Sequence, residues 1–157
     1  MRILTLLKQP LRRQRLATEA LRELVRAWWI VRFRAFRTYA DDLGTAHAGA
    51  HQTDALPDDV VLLRDVKWAV GAVNRTFFGR FTCLMQGIAG KAMLNRRGVD
   101  NTLILGAKLN RQGETEGDEG MAAHAWLNVG PVVLLGGEAM AGYVPVTSYH
   151  SESAAEV

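Results

Sequence analysis

From Leu11 to about Phe36 the apolar positions recur at three- and four-residue steps: Leu16, Ala20, Leu24, then Ala27 and Trp28, with arginines between them. That spacing predicts an amphipathic helix, and Pro10 suits its first turn, where a missing N–H matters least. Trp28, Trp29, Phe33 and Phe36 make the far end aromatic. Residues 41–57 are polar, small and rich in Gly and Ala, so they read as a loop or linker. A second helix is expected from Asp58, as N-cap, to about Thr76, with Val60, Leu63, Val66/Lys67, Val70 and Val73 on one stripe. A third begins at Cys83, runs through Leu84, Ile88, Ala92 and Leu94, and ends on Arg96, Arg97 and Gly98; cations in a last turn followed by glycine form a helix stop. Beyond it the period changes to two. Residues 102–109, 122–129 and 132–135 read as antiparallel strands, separated by the acidic, Gly-rich loop 110–120 and a turn at Gly130–Pro131. Helices followed by a small antiparallel sheet make an α+β fold. The expected divisions are a basic helical region with linker at 1–57, a core at 58–149 and a disordered tail at 150–157.

Composition changes this picture in one respect. The 157 residues are 48% hydrophobic and 22% charged, an ordinary balance for a domain with a real core. Charge is unevenly placed. Ten Lys/Arg against Glu19 and Glu23 leave residues 1–37 at +8, and the whole-chain +3 then puts the remainder at −5. A basic head on an acidic body either meets an acidic partner or packs against the body, and core packing with solvated arginines is the simpler reading. Nucleic acid fits less well, because no groove-reading motif follows. The opening apolar run is too short for a signal core or a membrane span. One cysteine excludes an internal disulfide and a thiolate zinc cluster, and suits a reducing cytoplasm. His47 and His51 have the i, i+4 spacing of helical metal ligands, but Gly44 and Gly49 argue against a helix there; neither metal nor cofactor is expected.

The candidate chemistry centres on that cysteine. At a helix start Cys83 faces unpaired backbone N–H groups, which favour a thiolate. A lone cysteine is otherwise most often inert core. His124 lies in the strand Ala122–Val129, on the same face as Trp126 and Asn128, with alanines either side. Thiol catalysis needs such a base, to take the thiol proton and return it to the leaving amine. A third group should orient the imidazole. A three-residue turn at 130–132 pairs 124 with 138 and brings Glu138 opposite His124, whereas a two-residue turn puts Glu138 on the other face. Both turn lengths suit the sequence. Asn128 is the alternative orienting group, and Asp118 or Glu119 are further choices.

Taken in order, Thr82-Cys83-Leu84-Met85-Gln86, Leu94-Asn95-Arg96-Arg97-Gly98-Val99, Leu105-Gly106-Ala107, Ala123-His124-Ala125-Trp126-Leu127, Leu135-Gly136-Gly137-Glu138 and Gly142-Tyr143 with Pro145 resemble the transglutaminase-like lasso-peptide B proteins. The likeness covers residues 60–147, and the basic opening is similar too. It implies a transglutaminase/papain-like core and a cysteine peptidase that removes the leader of a ribosomally made precursor peptide. Its triad falls on Cys83 as nucleophile, His124 as base and Glu138 as acid, where the family has Asp; Asn128 departs from the Val-Glu that usually follows the AHAW run. The implied partners are the precursor, a separate leader-recognition protein of the split systems, and an asparagine-synthetase-like cyclase. The same acyl-enzyme captured by an amine gives an acyltransferase, and a non-catalytic peptide-binding subunit is the alternative of another class.

Overall fold

A computed structural model describes residues 8–109 and 121–152. The acidic loop expected at 110–120, with Asp118 and Glu119, lies outside them, as do residues 153–157 of the expected tail. Three helices, α1 (Leu11–Phe33), α2 (Val60–Thr76) and α3 (Cys83–Asn95), pack with a five-stranded antiparallel sheet. The strands are β1 (Thr45–Ala48), β2 (Asn101–Leu109), β3 (Met121–Val129), β4 (Val132–Leu135) and β5 (Val144–Ser151), in spatial order β1-β5-β2-β3-β4.

The α+β class holds, with two strands added. Residues 45–48, expected as loop, pair with β5 from Thr45 opposite His150 to Ala48 opposite Thr147. An edge strand this short needs little intrinsic propensity, because β5 supplies the ladder and the Gly/Ala-rich segment only has to be extended. β5 itself reaches Ser151, past the start of the expected tail. Helix α2 starts one residue later than expected: Asp59, not Asp58, is the N-cap and accepts from the Leu62 N–H at 2.8 Å.

Helix α1 buries Leu16, Ala17, Ala20, Leu24 and Ala27 against the other helices. Its arginines are more than a solvated face. Arg12 and Arg13 reach the buried Asp65 of α2 at 3.4 and 3.3 Å. At the end of α3, Arg96 and Arg97 bind Glu19, each at 2.7 Å, and Arg96 also binds the buried Glu23. Hydrogen bonding from Arg97, opposed by burial and assisted by Arg96, holds the Glu19 carboxyl below its ordinary range. The two arginines that stop α3 therefore also clamp it to α1.

Helix α3 sits unusually deep on the sheet because it carries glycine where it touches. A Cβ on Gly90 would lie 2.6 Å from the Leu135 side chain and 2.9 Å from that of Leu127; one on Gly87 would meet Leu103 at 2.6 Å. The same helix buries Lys91, 2% exposed, whose ammonium donates to Asn101 Oδ1 at 2.9 Å and to the Tyr149 carbonyl at 3.1 Å. Burial pushes its pKa down to about 8, from 10.5. Between those values the unfolded chain keeps a proton that the folded chain has released, so this group's contribution to stability rises with pH. Urea unfolding at pH 8 and pH 10 checks this. Wild type should gain about 2 kcal/mol relative to Lys91→Met over that interval, and parallel pH dependence of the two would contradict it.

Candidate active site

Cys83 is the first residue of α3, and the approach to it is fixed by side chains. Thr82 caps the helix through its hydroxyl, which accepts from the Met85 N–H at 3.4 Å. The preceding turn is held from both sides: Asn74 Oδ1 accepts from the Phe81 N–H at 3.1 Å, and Gln86 Nε2 donates to the Phe81 carbonyl at 2.9 Å. The thiol is half-buried. The Cys83 N–H, in the first turn, has no intrahelical acceptor and is available to a developing oxyanion.

His124 lies in the first half of β3. Ala125, Leu127 and Val129 enter the core, while His124, Trp126 and Asn128 alternate to the other face. β4 pairs only with 127–129, so the His124 portion of β3 has no strand beside it on that edge. The turn between the strands is the two-residue one: Val129 pairs with Val132 and Asn128 with Val133. A register shift between Leu127 and Asn128 then pairs Leu127 with Leu135. The irregularity restores the offset that a three-residue turn would have set, and 124 would again fall opposite 138 if the ladder continued.

The ladder stops before it gets there. Gly136, at φ 80°, turns the chain out of β4 into the short 3-10 turn Gly137–Ala139. Its carbonyl lies 2.7 Å from His124 Nε2. A carbonyl can only accept, so Nε2 carries the proton and Nδ1 holds the lone pair of a general base. The ring is also flanked by Tyr143, centroids 5.2 Å apart, and by Trp126 at 6.0 Å, whose own ring lies over Gly106.

One cleft of about 850 Å³ joins these parts. Cys83 and Gln86 line it from α3, His124 from β3, residues 133–139 from the β4 edge, and Arg64, Lys67, Trp68, Gly71, Asn74 and Arg75 from α2. No hydrogen bond joins the thiol to the imidazole among the described residues; in a free enzyme such contacts commonly tighten only with substrate. Glu138 lines the same cleft but is exposed, and the Gly136 carbonyl, not Glu138, meets His124. Asn128 is buried with Oδ1 unpartnered, and four residues of strand place it about 13 Å from His124, out of reach for orienting the ring. His47 and His51 stack with centroids 4.0 Å apart beside His150, away from this cleft. Among the described residues no group of three or more His, Cys, Asp or Glu is arranged to hold a metal.

Sequence reasoning missed the Gly136 carbonyl, because a backbone acceptor leaves no side-chain signature. It also missed the α2 wall, whose only signal was Arg64, Lys67, Asn74 and Arg75 spaced along one helical face with Trp68 and Gly71 between them.

A cysteine at the start of a helix seated on an antiparallel sheet, lining one cleft with a strand histidine, is an arrangement in keeping with a cysteine-peptidase or acyltransferase-like fold. The sequence model of the transglutaminase-like superfamily matches residues 20–148, and the chain belongs to that superfamily. Neither comparison, with curated proteins or with solved structures, gives a match. No helix among the described residues is long and apolar enough to cross a membrane.

Proposed function

We propose that the chain is a cysteine peptidase that cuts the leader from a ribosomally made lasso-peptide precursor, with Cys83 as nucleophile and His124 as base. The observation that carries the chemistry is the shared cleft, lined both by a helix-start thiol and by a histidine protonated on Nε2. The ordered motif set from Thr82 to Pro145 carries the choice of substrate. His124 Nδ1 takes the thiol proton as Sγ attacks the scissile carbonyl, and the oxyanion forms beside the Cys83 N–H. The imidazolium returns its proton to the leaving amine, the core peptide departs, and water hydrolyses the thioester to free the leader. A separate leader-recognition protein presents the precursor, and an asparagine-synthetase-like cyclase closes the freed core in an ATP-dependent step.

The Gly136 carbonyl holds the tautomer, and Glu138 lines the same cleft without touching the ring. One expectation follows for position 138. Glu138→Gln should lower kcat by about tenfold or less, because nucleophile, base and orienting carbonyl all remain. A loss as large as that of His124→Ala would instead make Glu138 the orienting group.

Mass spectrometry of precursor incubated with the chain and leader-recognition protein tests the function. Free leader acid and free core amine are the expected products. An amide-linked leader conjugate would mark an acyltransferase, and unchanged precursor under conditions where it binds would mark a binding subunit.

A further inference from the structure

The wall of the cleft opposite Glu138 is cationic. Arg64, Lys67 and Arg75 lie on one face of α2, with Trp68 and Gly71 between them. Among the described residues neither Arg64 nor Lys67 has an ion-pair or hydrogen-bond partner, although Arg12 and Arg13 on the neighbouring helix are both taken up by Asp65. Arg75 lies across Gly71: a Cβ there would come within 3.0 Å of its guanidinium. Trp68 lines the cleft and carries the Arg13 guanidinium over its ring, 5.0 Å from the ring centre. Glu138 is the one carboxylate among the described lining residues. A groove with three cations on one wall and a single anion on the other is complementary to a negatively charged occupant.

Building on the peptidase reading, we propose that the α2 wall selects peptides with an acidic side chain a few residues from the scissile bond. The distances set which positions count. The Asn74–Phe81 hydrogen bond ties the end of α2 to the turn before Cys83. From Arg75, Lys67 is eight residues up the helix and Arg64 eleven, about 12 and 16 Å at helical rise. An extended peptide covers about 3.3 Å per residue, so an acid three to five residues from the cut reaches Lys67 and Arg64. Trp68 gives the intervening backbone an aromatic face, and the Arg75 guanidinium covers the floor at Gly71.

The experiment uses the full chain and a set of quenched fluorogenic decapeptides, each with Asp, Asn or Lys at one position on either side of a fixed central sequence. Wild type should cleave the Asp peptide about fivefold faster, in kcat/KM, than the Asn peptide at positions three to five from the cut on one side. The preference should shrink in high salt, where exposed charge contacts are screened. Arg64→Glu with Lys67→Glu should reverse it toward Lys, and the paired Gln variant should abolish it. Both positions are exposed, so neither pair disturbs the core. Binding is read separately, as anisotropy of the labelled peptides on Cys83→Ala protein. Cleavage, or binding in its absence, with no preference among Asp, Asn and Lys overturns the proposal and leaves the peptidase reading intact. Charge-dependent binding that the Glu pair reverses, with no cleavage by wild type, upholds the wall and overturns the peptidase.

Discussion

Alanine at Cys83 should remove precursor cleavage altogether, a fall of about 10⁴-fold or more, while the protein stays folded. The size follows from the mechanism: without Sγ no thioester forms, and the oxyanion donor and cleft bind substrate without a group to attack it. Stability should change little. Cys83 is half-buried at the edge of the core, and Thr82 still caps the helix with its own hydroxyl. His124→Ala should fall almost as far, because the two groups act as a unit and neither works alone. Progress curves by mass spectrometry, with far-UV circular dichroism as the control for folding, check both. Residual cleavage within tenfold of wild type by the Cys83 variant would make the cysteine core and not nucleophile.

Gly136→Ala should be the most damaging change that removes no reacting atom. At φ 80° an L side chain costs about 1–2 kcal/mol, and here the added Cβ would also lie 2.5 Å from the Ala125 carbonyl oxygen and 3.0 Å from Trp126 Cα. The backbone must shift to relieve this, and the shift moves the carbonyl that holds His124 Nε2. We expect a stability loss of about 2 kcal/mol or more and, well below the melting temperature, a fall in kcat of about 100-fold, with the smaller part of the effect in KM. Thermal unfolding and steady-state kinetics on the same preparation separate the two losses. A destabilised variant with unchanged kcat would show that the carbonyl does not position the base.

The contrast between Cys83 and Gly136 shows what the sequence carries. Helix α3 was legible because its apolar run and its basic stop agree on one element, and the structure adds the Thr82 cap that fixes Cys83 at its start. β3 was legible by alternation, which put Ala125, Leu127 and Val129 on one face and His124 on the other before any partner strand was known. Pairing was not. A two-residue turn and a three-residue turn both suit Gly130–Val132, and the chain uses the first and then corrects its offset with an irregularity at Leu127–Asn128. Nothing local at those residues announces that correction, although Leu127 and Leu135, the pair it creates, both pack against Gly90. β1 was illegible for a similar reason: Thr45–Ala48 becomes a strand because β5 is there to receive it. The lining of the cleft mixes both kinds. Its α2 wall could be read from a helical stripe, but only the fold shows that the stripe faces the thiol.

The proposed catalysis turns on one covalent event, transfer of the leader acyl group to Cys83. Acid quenching of wild-type protein mixed with precursor, followed by intact-protein mass spectrometry, looks for it directly. The expected result is a transient species heavier than the free chain by the leader mass less one water. The added mass should map to the peptide containing Cys83, be labile to hydroxylamine, and be absent from Cys83→Ala. Rapid leader release during the same quench series, with no acylated protein at any time and full activity in the Cys83→Ala variant, would contradict it.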